Sequence, residues 1–213
     1  MSRALPLDKG YSARAFAHRV ALKSGRRVDS DHGDHVLNPD LDALIAANPL
    51  RDAAVLVPIV DRGDEASVIL TLRNANMRQH SGQVAFPGGA IDPEDDDEPE
   101  TAALREAQEE IGLDPSKVDV LGELASYDTA TGFRIHPVVG WLTPPLELRP
   151  DPYEVDEVFE LPLDFVLDPI NHRRQSYRRG SLTRAYYVLP YQNRFIWGAT
   201  AGILVNLSGL LRA

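Results

Sequence analysis

The stretch Arg105-Glu106-Ala107-Gln108-Glu109-Glu110-Ile111-Gly112-Leu113 constrains this chain more than any other. As a helix it advances about 100° per residue, so Glu106, Glu109 and Glu110 fall at roughly 0°, 300° and 40°. Three carboxylates then share an arc of about 100°, a costly arrangement unless a cation sits among them. Such an oxygen-rich cluster suits Mg²⁺ or Mn²⁺, hard cations that take carboxylates and still bridge to phosphate oxygens. Upstream, Phe86-Pro87-Gly88-Gly89 is a backbone-permissive turn able to hold main-chain groups against a ligand. A solvated acidic face would explain a lone E-x-x-E-E. Arg105 in front, Ile-Gly-Leu behind and the upstream Gly-Gly turn weigh against that bland reading.

These residues resemble the Nudix box, whose pattern is G-x5-E-x7-R-E-U-x-E-E-x-G-U with U aliphatic. The second half matches position for position from Arg105 to Leu113, with the small Ala107 at the first U. The first half departs. Counting back from Arg105 lands on Asp97 rather than Glu, and Gly89 lies two residues too far upstream. The extra length falls in the acidic loop Asp92 to Glu98, where an insertion costs little entropy. Asp95, Asp97 and Glu98 are the candidates to replace the missing Glu. A narrower likeness precedes the box. Ile69 to Arg73, Arg78, Gly82 and Phe86-Pro87-Gly88-Gly89 resemble the signature of Nudix hydrolases acting on coenzyme A, L-L-T-x-R-[SA]-x3-R-x3-G-x3-F-P-G-G, with Asn74 at the small Ser/Ala position.

The resemblance implies a metal-dependent pyrophosphohydrolase cleaving coenzyme A or its derivatives into a 4′-phosphopantetheine product and adenosine 3′,5′-bisphosphate. Another nucleoside diphosphate derivative, such as ADP-ribose or NADH, is the alternative substrate, and a silent nucleotide-binding module the alternative class. Glu106, Glu109 and Glu110, with the carbonyl near Gly89 or Ala90, would hold Mg²⁺ or Mn²⁺. Glu109, Glu110 and Arg105 would carry the catalysis, Arg105 by fixing carboxylate orientation. Arg73, Arg78, His80, Gly88 and Gly89 would meet the substrate, the arginines by bidentate contact with phosphates. The base is one of the helix glutamates or a carboxylate of the segment Glu154, Asp156 and Glu157, each of which by itself reads more readily as a solvated loop residue. His136, inside an apolar strand, reads as a core histidine. Trp141, Trp197, Tyr186 and Tyr187 read as core or interface aromatics.

A net charge of −10, from 22 basic and 32 acidic residues, argues against general nucleic-acid or anionic-membrane binding. Local arginines and metal ions still let an acidic protein take a small diphosphate. The absence of cysteine excludes disulfides, thiolate metal sites and cysteine nucleophiles. No run of about 18 apolar residues predicts a membrane span, and the N-terminal stretch lacks a signal-peptide apolar core. The expected location is cytoplasmic.

Residues 1–50 read as a helical extension serving packing or homodimer contacts, with helices over Ser12–Ser24 and Pro39–Ala47 and a polar loop at Asp31-His32-Gly33-Asp34-His35. Residues 51–213 read as the catalytic domain. The apolar run Ala53–Val60 predicts a strand covered on both faces, and Val68–Arg73 its hairpin partner. Further strands are expected at Gln83–Phe86, Val118–Tyr127, Phe133–Leu142, Val155–Leu161 and Leu182–Pro190. Helices are expected at Pro99–Ile111, Pro162–Leu167 and Ala199–Leu211. Without regular βαβ alternation, this order implies an α+β fold, a Nudix-like α/β/α sandwich with a mixed β-sheet between helices.

Overall fold

The computed structural model describes Arg19 and residues 32–77, 80–94, 96, 98–180 and 182–212. The central strand β1 (Arg51–Asp61) is the apolar run of the sequence. Alternate residues of a strand face opposite ways, and both faces of β1 are covered. Ala54, Leu56 and Val60 join one buried cluster, Val57 and Ile59 the other. β2 (Ala66–Arg73) returns antiparallel, while β7 (Phe133–Leu142) runs parallel to β1 from Arg51↔Phe133 to Val60↔Leu142. β8 (Val155–Pro162) adds antiparallel to β2 and β5 (Val118–Glu123) to β7. The sheet is therefore mixed.

Its two covers come from different parts of the chain. On one face lies α3 (Pro99–Ile111), following α1 (Asp34–Leu37) and α2 (Asp42–Ala47) in sequence. Ala102, Ala103 and Ala107 of α3 are fully buried, and their small side chains let this helix approach the sheet closely. On the other face, α4 (Leu163–Leu167) and α5 (Gly198–Arg212) pack with β10 (Leu182–Tyr191) and β11 (Arg194–Trp197). The expected mixed sheet between helices is what the chain builds.

Local details differ from the sequence reading. Gly88–Ala90, expected as part of a turn, forms β4 and pairs antiparallel with β1, Val55 opposite Gly88. A Cβ on Gly88 would stand 2.4 Å from the Ala54 carbonyl oxygen, so only glycine permits this approach. The expected strand 118–127 divides into β5 and β6 (Tyr127–Asp128), with a register shift between Val120 and Gly122. β3 is only Val84–Ala85. β9 (Arg173–Arg179) and β11 were not expected. β9 has no apolar alternation, and it is a strand because β10 pairs with it, in a three-stranded sheet β11-β10-β9. Asp34, read as part of a polar loop, opens α1 and accepts hydrogen bonds from the Tyr127 hydroxyl (3.0 Å) and the Ala130 N–H (2.9 Å). The helix expected at Ser12–Ser24 lies outside the described residues, Arg19 apart. Among the described residues no helix is long and apolar enough to cross a membrane.

Candidate active site

α3 starts with Pro99, whose missing N–H costs nothing at a helix start, and ends at Gly112 in the left-handed region (φ 65°). Its final carbonyls are met from a distant segment. Arg149 N–H donates to the Ile111 carbonyl at 2.7 Å and Asp151 N–H to that of Glu110 at 2.9 Å. These bonds satisfy groups a helix end leaves open and bring Glu154 close enough for its charge to act on Glu106 and Glu110. Asn74, beyond the end of β2, is tied to the same segment, its N–H donating to the Glu154 carbonyl and its Nδ2 to that of Pro152, both at 2.8 Å.

The three carboxylates of α3 share a face but not an environment. Glu109 is the outermost, its side chain 60% exposed, and it accepts from Arg105 Nη1 at 3.1 Å. Glu106 is half-buried against Gly89, where a Cβ would lie 2.5 Å from Glu106 Cδ and 2.6 Å from each carboxylate oxygen. Burial raises the Glu106 pKa, Arg105 draws it back, and the charges of Glu109 and Glu154 add to the rise. Glu110 is 1% exposed, and one of its oxygens, Oε1, accepts from Arg73 Nη1 at 3.0 Å. Burial pushes Glu110 up to about 7 against the pull of Arg73, with Glu106 and Glu154 reinforcing the rise and the Gly88 N–H opposing it. Two buried atoms of this pair, Glu110 Oε2 and Arg73 Nε, have no hydrogen-bond partner.

Arg105 has the opposite character. Its Nε and Nη2 hold both oxygens of Asp96 at 3.1 and 2.9 Å, and its Nη1 reaches Glu106 at 2.9 Å as well as Glu109. Asp96 also accepts the Asp92 N–H at 2.9 Å. The bonds from Arg105 hold the buried Asp96 carboxylate below its ordinary range, and Asp96 in turn holds the guanidinium protonated. The pattern makes Asp95, Asp97 and Glu98 the candidates for the missing Glu, and the carboxylate that Arg105 holds is that of a fourth residue of the same loop, Asp96. Asp95 and Asp97 lie outside the described residues. An inserted loop destroys the counting register, so Asp96 carried no signal beyond belonging to an acidic run.

Not every expected site residue joins this cluster. His80 is exposed at the turn after β2, with φ 55° and its Nδ1 3.1 Å from Gln83 Oε1. Arg78 lies outside the described residues. Ala90 is in β4 beside Gly89, opposite Ala53. Asp156 accepts the Ala75 N–H at 3.0 Å, and Glu157 pairs with Arg194. His136 is satisfied as expected but is only partly buried: within β7 it bridges Glu123 at 2.7 Å and Asp52 at 3.0 Å. Trp141 is buried in the core, and Trp197 packs edge-on against Tyr186 at 5.6 Å.

Among the described residues no three acidic or histidine side chains converge closely enough, as they stand, to enclose a metal ion. The donor set nonetheless fits a hard cation in kind. It offers carboxylate oxygens only, one of them buried without a partner, on a rigid helix against a glycine that leaves room for nothing larger.

Comparison with known proteins bears on this arrangement. The NUDIX domain family matches residues 50–179. The uncharacterized Nudix hydrolase NudL of Escherichia coli (strain K12 / DH10B) is 45% identical over 159 residues, covering 74% of this chain and 81% of the relative. The protein of the same name from Cronobacter sakazakii (strain ATCC BAA-894) is 47% identical over the same coverage. Among solved structures, the Nudix hydrolase RenU from M. smegmatis is 28% identical, with a TM-score of 0.46 over 54% of this chain and 71% of that one.

Proposed function

This chain belongs to the Nudix family and is a pyrophosphohydrolase, and from that premise we propose that its substrate is coenzyme A or a derivative, cleaved at the diphosphate to give a 4′-phosphopantetheine product and adenosine 3′,5′-bisphosphate. The observation that carries this reading is the place of Arg73. It is the first arginine of the signature stretch from Ile69 to Gly89, and it stands in hydrogen-bond contact with Glu110 of the catalytic helix. A specificity element and the acidic cluster thus meet at one side chain.

Nudix hydrolases generally work with divalent cations, here Mg²⁺ or Mn²⁺, which Glu106, Glu109, Glu110 and the Ala90 carbonyl would hold. When bound, the cation supplies charge neutralisation for the diphosphate and makes water a better nucleophile. The chain's own residues do the rest. Arg105, held by Asp96, orients the carboxylates of Glu106 and Glu109. Arg73 meets the diphosphate, with Arg78, His80 and the backbone of Gly88 and Gly89 completing the substrate side. The proton of the attacking water goes to one of the helix glutamates or to a carboxylate of the segment holding Glu154, Asp156 and Glu157, which the capped end of α3 draws toward the cluster. We assign catalysis to residues 51–213 and packing or homodimer contacts to residues 1–50.

A screen of purified protein with Mg²⁺ or Mn²⁺ against coenzyme A, 3′-dephospho-coenzyme A, ADP-ribose, NADH and nucleoside diphosphates tests the reading. Coenzyme A should be the fastest substrate, with adenosine 3′,5′-bisphosphate among the products. Rapid cleavage of ADP-ribose with coenzyme A left intact would discard the coenzyme A reading and keep the family.

A further inference from the structure

The contact between Arg73 and Glu110 is half made. Arg73 offers a guanidinium with a fork of donors, and Glu110 a carboxylate with two oxygens, yet one bond joins them, Nη1 to Oε1 at 3.0 Å. The side chains are 18% and 2% exposed, so neither charge is well solvated. Arg73 Nε and Glu110 Oε2 are both buried and both unpartnered. A pair whose only task were to join β2 to α3 would close as a fork, since a buried donor or acceptor left unmade costs about 1–3 kcal/mol. Arg105 shows that this fold can close such a fork, with both oxygens of Asp96 engaged. An unmade bond on each partner calls for a physical explanation, and a contact that gives way to another ligand supplies one.

We propose that Arg73 is an exchangeable counter-cation. It neutralises Glu110 while no metal is bound, yields that carboxylate to the arriving divalent cation, and is thereby released to the substrate diphosphate. The inference rests on the functional reading above for the cation and the anion. It adds that one side chain couples their binding. Two cations do not share a buried carboxylate without mutual repulsion, so metal at Glu110 drives the guanidinium off Oε1. The anion then meets a guanidinium already stripped of its internal partner. The coupling is reciprocal, metal favouring anion and anion favouring metal.

Mn²⁺ binding to the substrate-free protein, followed by electron paramagnetic resonance, gives a test that needs no turnover. Arg73→Gln removes the competing charge and should tighten Mn²⁺ binding severalfold, whereas Arg73→Lys keeps the charge and should bind Mn²⁺ within about twofold of wild type. A purely structural arginine predicts the opposite sign, with Arg73→Gln binding Mn²⁺ more weakly or equally. Should Arg73→Gln not fold, the guanidinium Nε–H resonance of Arg73 in the wild type, assigned by its loss in Arg73→Lys, decides the matter. Mg²⁺ should shift this resonance and speed its exchange with water as Nε leaves its buried position, and an unchanged resonance at saturating Mg²⁺ overturns the proposal. Wild type that binds no Mn²⁺ overturns it together with the metal-dependent reading. Mn²⁺ exchange as expected, with coenzyme A uncleaved in the substrate screen, leaves the exchange standing and discards only the substrate.

Discussion

Two arginines hold the carboxylates of one helix, and they hold them differently. Arg105 spends its donors on three partners, Asp96, Glu106 and Glu109. Arg73 spends one donor on Glu110 and leaves another buried and idle. Arg105 comes from α3 itself, within a turn of Glu109, and its anchor Asp96 lies in the loop that leads into α3. Arg73 arrives from β2, across the sheet-helix boundary. A saturated arginine fixes geometry, because moving it breaks several charge-assisted bonds at once. An arginine with a single bond can be exchanged. One end of the acidic face is thus built for rigidity and the other for change.

The sharpest way to break the contrast is to remove the anchor of the rigid end. Asp96→Ala leaves Arg105 without its bidentate partner, and loss of one member of a buried pair costs about 3–5 kcal/mol. The lower end, about 3 kcal/mol, is expected because Arg105 keeps Glu106 and Glu109 and is 30% exposed. Urea unfolding measures it, and a loss below about 1 kcal/mol would mean that the network does not hold the loop.

Next comes the pair Glu109→Gln and Glu110→Gln. Both should lower turnover by about a hundredfold or more, the scale for losing a positioned catalytic group. They should differ in stability. Glu109 is largely exposed and its loss should leave the melting temperature unchanged, whereas Glu110→Gln strands the guanidinium of Arg73 and should lower it by several degrees. Activity within severalfold of wild type in both variants would remove the acidic cluster from catalysis.

Glycines 88 and 89 sharpen the distinction further. A methyl at Gly89 meets the far end of a side chain, the Glu106 carboxylate, and one at Gly88 meets the backbone of Ala54 and Val55. Gly89→Ala should therefore fold and lose roughly tenfold or more in turnover as Glu106 is pushed aside. Gly88→Ala should instead show its loss in thermal denaturation. Equal activity in Gly89→Ala and wild type would separate Glu106 from the reacting centre.

The smallest expected effect concerns pH. Bonds to Glu123 and then Asp52 raise His136 above its ordinary value, so it binds its proton more tightly in the folded state. Its contribution to stability is full below the unfolded value of about 6.5 and disappears as pH rises through the raised folded value. Asp96 has the reverse sign. Lowered by Arg105, it contributes above its ordinary value of 3.8 and is lost as pH falls through the folded value. Unfolding free energies of wild type and His136→Asn should therefore converge on the alkaline side, and those of wild type and Asp96→Ala on the acid side. A His136 difference that persists undiminished at pH 9 would show that its role is packing rather than charge.

Much of this was legible in sequence because it is local. The α3 face follows from the 3.6-residue turn, its stop from Gly112, and the two-faced burial of β1 from an unbroken apolar run. Where the reading failed, the deciding interaction came from elsewhere in the chain. β9 has almost no apolar residue and becomes a strand by pairing with β10. His136 sits in an apolar stretch, yet its neighbours across the sheet are two carboxylates. Gly88 reads as a turn residue and is instead the only residue that β1 can accept at that distance.

That three glutamates and an arginine share one helix face behind a glycine pair follows from the order of residues alone, since helical geometry depends on nearest neighbours. That order could not determine that Glu110 would be buried, Glu109 exposed and Glu106 pressed against Gly89, because those environments depend on which elements the sheet brings alongside. Nor could it say that Asp96 would anchor Arg105 or that Arg73 would meet Glu110 across an incomplete bond. Charge and hydrogen bonding act through space, and only the folded chain sets the distances over which they act.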